Sequence, residues 1–256
     1  RKINDCKVIC WTTGDYSKLW KDNYPEIEFI TNSLSSVAHI KYVLSWEGLS
    51  HDSQTEERRN DKTFNFNHSP VNYQTVALGQ TTTNILGIDF EIEKPIINLK
   101  KYKRNIQERY VCINTMSTAQ AKFWNYGYER GKSKDYGLGW QLLIYYLNSI
   151  GYKVLVLNRD EEYGYGGGEW DKRIMWNEHK FDGVIDKTGR QYNLESRISD
   201  LKYADFFIGL NSGMSWLSWM IGTPTISIVN LQPPELLIPA DKIISRSKKH
   251  EYNENI

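Results

Sequence analysis

Residues 206–229 read FFIGLNSGMSWLSWMIGTPTISIV. An apolar run from Phe206 to Leu210 breaks at Asn211-Ser212-Gly213, continues as a Met-, Trp- and Leu-rich stretch to Ile221, and resumes after Gly222-Thr223-Pro224. Short apolar runs bounded by Gly and Pro predict strands, and the longer stretch between them predicts a buried helix. The reading is strand, tight loop, helix, turn, strand. In open α/β sheets ligands sit beyond the carboxyl ends of the strands, where loops lead into helix N-termini. Asn211-Ser212-Gly213-Met214-Ser215 falls at that position. Two readings fit it. Ser212 or Asn211 caps an ordinary core helix, or free backbone N–H groups and the positive end of the helix dipole hold an anion that Gly213 lets approach closely.

Outward from this stretch the second half repeats the pattern. Tyr110–Asn114 reads as a strand, Trp140–Ile150 as an amphipathic helix ended by Gly151, Lys153–Leu157 as a strand and Leu194–Leu201 as a helix. Phe206–Leu210 and Thr225–Val229 complete the strands. Strands alternating with helices of about ten residues predict a parallel sheet with helices on both faces, an α/β fold. In the first half, Lys7–Thr12, Ile27–Thr31 and Ile40–Leu44 read as strands and Ser17–Tyr24 as a short helix closed by Pro25. Residues 47–69 are polar and aperiodic, a loop, and a helix is predicted over 73–86, stopped by Gly87. Residues 89–109, with Pro95 and the basic run LKKYKR, mark a linker and divide the chain into domains 1–100 and 101–256.

Bulk properties exclude several classes. Among 256 residues, 32 Lys and Arg face 31 Asp and Glu, so no global field draws the chain to nucleic acid or a membrane surface. Cys6, Cys10 and Cys112 form neither a metal-ligand spacing nor an even-numbered disulfide set, which predicts reduced thiols and a cytoplasmic protein. The residues from Arg1 onward show no signal-peptide pattern and no apolar run of the ~18 residues a membrane span needs, so neither is expected.

Several blocks then appear in order. They are INTMSTAQAKFWN (113–125), GWQLLIYYLNSIGYKVLVL (139–157), GVIDKTG (183–189), LESRISDLKYADFFIGLNSGMSWLSWMIGTPTISI (194–228) and KIISRS (242–247). Together they resemble the bacterial autotransporter heptosyltransferase family, GT-B glycosyltransferases related to the lipopolysaccharide heptosyltransferases. WKDNYPEIEFIT (20–31) and LGQTTTNILGID (78–89) resemble it more loosely.

The resemblance implies two Rossmann-like domains with a cleft between them, the N-terminal one incomplete and on the acceptor side, the C-terminal one binding a nucleotide-sugar donor, ADP-heptose-like. It implies that Ser212, Gly213, Met214 and Ser215 lie against the donor diphosphate. Asn211 would meet the donor sugar, standing where lipopolysaccharide heptosyltransferases carry an aspartate. Asp186, Thr188 and Gly189 would lie near the nucleoside, although their DKTG segment also reads as a plain turn. Lys122, in AKFW, matches the family's cleft lysine, a cation opposing charge on the departing diphosphate. The implied reaction moves a sugar with inversion and without metal to an acceptor hydroxyl, a protein Ser or Thr or a glycan.

The chain also departs from the family. The family's first strand leads into a glycine-rich loop carrying the aspartate that deprotonates the acceptor, whereas Arg1 aligns after that region. No base can be nominated, so a non-catalytic nucleotide-sugar-binding protein is the alternative. The family's C-terminal cysteine cluster, which binds iron, has no counterpart here, and His179 and His250 are isolated. The expectation is no metal and no cofactor. Residues 125–139 run longer than the family's connection. EEYGYGGGEW (161–170) is glycine-rich but lacks the strand–GxGxxG–helix context of a dinucleotide site and reads as a mobile loop.

Overall fold

The computed structural model describes residues 8–11, 17–30, 41–42, 64–65, 94–115, 138–159, 162–163, 174–175, 181–210, 212–229 and 242–245. The helix expected over 73–86, and Lys122, Asn211, His179 and His250, lie outside them. Two compact units emerge: Arg1–Asn98 with Pro233–Leu237, and Leu99–Gln232 with Ile238–Ile256. In the first, strands β1 (Val8–Trp11) and β2 (Ile27–Ile30) pair in parallel, and helix α1 (Ser17–Trp20) lies between them in sequence. Two-residue strands β3 (Lys41–Tyr42) and β4 (Phe64–Asn65) form a second parallel pair. β4 interrupts the stretch expected to be loop.

The second unit carries the main sheet. Its strands are β5 (Tyr110–Asn114), β6 (Lys153–Val156), β9 (Val184–Asp186), β10 (Phe207–Leu210), β11 (Thr225–Val229) and β12 (Lys242–Ser245). Between β6 and β9, β7 (Glu162–Tyr163) and β8 (Ile174–Met175) make a small antiparallel pair. The helices are α2 (Leu138–Ser149), α3 (Leu194–Lys202) and α4 (Gly213–Ile221). All six main strands run parallel in the order β12-β11-β10-β5-β6-β9. Read from β9, the order is that of a doubly wound nucleotide-binding sheet, so the α/β expectation is borne out.

Alternation along the strands assigns the faces. Val111 and Ile113 of β5, Val154 and Val156 of β6, and Ile208 and Leu210 of β10 pack with Trp140, Ile144 and Leu147 of α2 in one buried cluster. On the opposite face, Tyr110 and Cys112 donate to the Asp200 carbonyl of α3, and Thr225 of β11 bonds Ser218 of α4. Helices therefore cover both faces, and β5 is buried along its whole length. Each fully buried large side chain contributes about 1.5–3 kcal/mol of transfer free energy. The four- and five-residue apolar segments of β5, β6 and β10 are thus buried because they are sandwiched, which is why they read as continuous runs.

Candidate functional site: the carboxyl edge of the parallel sheet

β5 and β10 are neighbours, but the chain leaves them in opposite directions. From β5 it proceeds through α2 to β6, and from β10 through α4 to β11. This is the switch point of the sheet, where diverging loops open a crevice. β10 delivers the chain to Ser212, whose backbone is extended at φ −148° and ψ 175°. Ser212 occupies the N-cap position of α4, yet its hydroxyl makes no capping bond. Its Oγ is buried without a hydrogen-bond partner among the described residues. The Trp216 N–H donates to the Ser212 carbonyl at 3.1 Å, closing the first turn. The N–H groups of Gly213, Met214 and Ser215 precede that bond and have no carbonyl within the helix to receive them. Ser215 faces inward: its buried Oγ donates to the Leu210 carbonyl, so it can offer a ligand its N–H but not its hydroxyl.

The second predicted segment sits at the carboxyl end of β9. Asp186 Oδ1 accepts the Thr188 N–H at 2.8 Å. Gly189, at φ +113°, takes a conformation that L side chains rarely adopt, and its N–H donates to the Asn158 carbonyl at 3.0 Å. Its carbonyl accepts from Arg197 at 2.9 Å. The same guanidinium, 4% exposed, donates to the carbonyls of Leu157 at 2.7 Å and Asn158 at 2.9 Å. Lys187 pairs with Asp200 at 2.6 Å, its ammonium sparingly exposed and the carboxylate fully buried. Thr188, 5% exposed, has an Oγ1 without a hydrogen-bond partner among the described residues. At the adjoining strand ends, the Asn158 side chain receives the Thr115 N–H at 2.9 Å and bonds its hydroxyl. The segment is more than a plain turn. It is one rim of a buried polar network spanning the ends of β5, β6 and β9.

Ser212–Ser215 and Asp186–Gly189 thus lie on the same edge of one sheet, with β5 and β6 between their strands. Three inter-strand spacings separate β10 from β9, roughly 14 Å. Sequence reasoning missed Thr115, Asn158, Arg197 and Asp200. A signal for Arg197 exists: it shares a helical stripe with Leu194, Ile198 and Leu201, where a core side chain belongs. Among the described residues no three His, Cys, Asp or Glu side chains group as metal ligands. No helix among them is long and apolar enough to cross a membrane.

No family model matches the chain. It is 32% identical over 232 residues to the autotransporter heptosyltransferase Aah of Escherichia coli, covering 91% of this chain and 51% of that protein. To the autotransporter heptosyltransferase TibC of Escherichia coli O78:H11 it is 34% identical over 234 residues, covering 91% and 50%. The chain spans about half the length of the relatives it matches. A crystal structure of TibC, a dodecameric iron-containing heptosyltransferase in complex with ADP-D-β-D-heptose, matches with a TM-score of 0.74 at 29% identity, covering 96% of this chain and 57% of that one. These likenesses bear out the resemblance drawn from the sequence blocks and the GT-B type. They correct the expectation of no metal and no cofactor, since TibC contains iron. That expectation rested on a cysteine cluster missing from a chain about half as long as its relatives, and an absence in half a protein carries no weight for the whole. The described residues offer no fitting ligand set, so no chemical step is derived through iron.

Proposed function

Taking the chain as a relative of the autotransporter heptosyltransferases, we propose that its second unit holds a nucleoside-diphosphate sugar along the carboxyl edge of the sheet, as the donor half of a glycosyltransferase. The observation that carries the reading is the start of α4. At the switch point, first-turn N–H groups and a Ser212 hydroxyl without a partner among the described residues stand at the positive end of a nine-residue helix.

In this reading Ser212, Gly213, Met214 and Ser215 hold the diphosphate, and Asp186, Thr188 and Gly189 hold the nucleoside. Asn211 faces the sugar, and Lys122 opposes charge on the leaving group. The donor is ADP-linked and heptose-like, the ligand of solved TibC. The acceptor hydroxyl, on a protein Ser or Thr or on a glycan, attacks the anomeric carbon. The bond from that carbon to the diphosphate oxygen breaks, its electron pair leaves with the nucleoside diphosphate, and the configuration inverts. The transition state has oxocarbenium character. Each N–H aimed at the developing diphosphate charge contributes about 3 kcal/mol. The acceptor's proton passes to a base for which this chain nominates no residue. Residues 1–100 serve the acceptor and 101–256 the donor, in the cytoplasm.

Titration with ADP-, UDP- and GDP-sugars tests the reading. Binding is expected, strongest for the adenine diphosphate. Protein folded by circular dichroism that bound none of them at millimolar concentration would overturn it, and donor binding without transfer in the full-length protein would establish the binding-only alternative.

A further inference from the structure

The Asp186–Gly189 segment is held from α3. Arg197 grips the Gly189 carbonyl, and Asp200, three residues on and so on the same helical face, grips Lys187. Thr188 lies between these two anchors with its hydroxyl buried and without a partner among the described residues. We propose that Arg197 is a positioning residue for the nucleoside end of the donor site, acting through the segment that presents Thr188. The role rests on the donor reading above and adds to it a residue that contacts no ligand.

Four observations support it. A guanidinium in a core stripe is costly unless fully hydrogen-bonded, and an apolar side chain would fill the same space. Arg197 satisfies itself on three main-chain carbonyls, Leu157 and Asn158 after β6 and Gly189 after β9, so it fixes the end of one strand relative to the other. The planar guanidinium holds its donors in a fixed fork that spans both strand ends, whereas a lysine gathers its bonds at one nitrogen. The start of α4 is tied differently, through Ser215 to Leu210 and Trp216 to Ser212. None of the bonds that hold the start of α4 runs to Arg197, although α3 and α4 pack against each other, with Thr223 after α4 donating to the Leu201 carbonyl of α3.

The experiment is calorimetric titration of the full chain with ADP and, separately, with inorganic pyrophosphate, in the wild type, Arg197→Lys, Thr188→Val and the double variant, with thermal midpoints recorded. Arg197→Gln, which keeps an amide donor and drops the charge, repeats the comparison in a second background. ADP affinity is expected to fall roughly tenfold in Arg197→Lys, while pyrophosphate affinity stays within about twofold. In the Thr188→Val background the Arg197 substitution should have little further effect, because the hydroxyl it positions is gone. Independent, additive losses would overturn the proposal. So would ADP and pyrophosphate affinities that fall together with the thermal midpoint, as for a purely structural arginine, or an unchanged ADP affinity. A folded wild type that bound neither ligand would instead fell the donor reading, and this role with it.

Discussion

A Cβ added at Gly213 would meet no atom within 4 Å among the described residues. Nor does Gly213 belong to the glycines held at positive φ, which are Gly151, Gly183, Gly189 and Gly222 among the described residues. Its exposed position in the first turn of α4 can therefore accept a larger residue without backbone strain, so glycine there is not explained by folding. On the proposed donor reading it serves access, since without a Cβ a phosphate can approach the first-turn N–H groups closely. Gly213→Val is accordingly expected to leave the thermal midpoint nearly unchanged while donor affinity drops by roughly tenfold or more, about 1.4 kcal/mol. Titration of the folded variant with the donor sugar checks this. Unimpaired binding would return Ser212-Gly213 to an ordinary helix start.

Tyr110 and Cys112, two residues apart on β5, both face α3 and both donate to the Asp200 carbonyl. Burial, aided by the nearby Asp200 charge, pushes both side chains above their ordinary ranges. Each is neutral when protonated, and the folded state favours that form. The unfolded chain consequently ionises first, near pH ~8.5 at the thiol and ~10 at the phenol, so stability is intact below these values and declines as pH rises through them. Urea midpoints measured from pH 7 to 11 should fall in two stages. Cys112→Ala should flatten the first and Tyr110→Phe the second, and a midpoint independent of pH would contradict the assignment. The strand that carries these groups was legible in the sequence because it is central: YVCIN is apolar through its middle since both faces are covered. β9 was not legible. VID is three residues long at the sheet edge, with Ile185 exposed, so no apolar run announces it. The same limit governed the site. The loop before α4 follows from local order, strand then small residues then helix. The Arg197 and Asn158 contacts join residues eight to 43 positions apart, and only the packed sheet brings them together.

On the proposed reading the two edges of the main sheet have separate tasks. Every parallel strand points its carboxyl end to the same side, so the segments after β5, β6, β9 and β10 share one rim, while the turns entering the strands share the other. Gly151 belongs to that second rim, in the turn that ends α2 and leads into β6. Its φ is +92°, a value an L residue adopts only with strain, and a Cβ there would meet no atom within 4 Å among the described residues. Gly151→Ala should therefore destabilise the fold by about 1 kcal/mol through backbone conformation alone. It should leave donor affinity untouched, because the turn lies at the far end of the strands from Ser212 and Thr188. Gly213→Val should do the reverse, sparing stability and weakening the donor. Measuring folding midpoint and donor affinity for both variants separates the rims. If Gly151→Ala weakened donor binding as much as Gly213→Val, the carboxyl edge would lose its claim to be the site, since the two substitutions share nothing but the sheet between them.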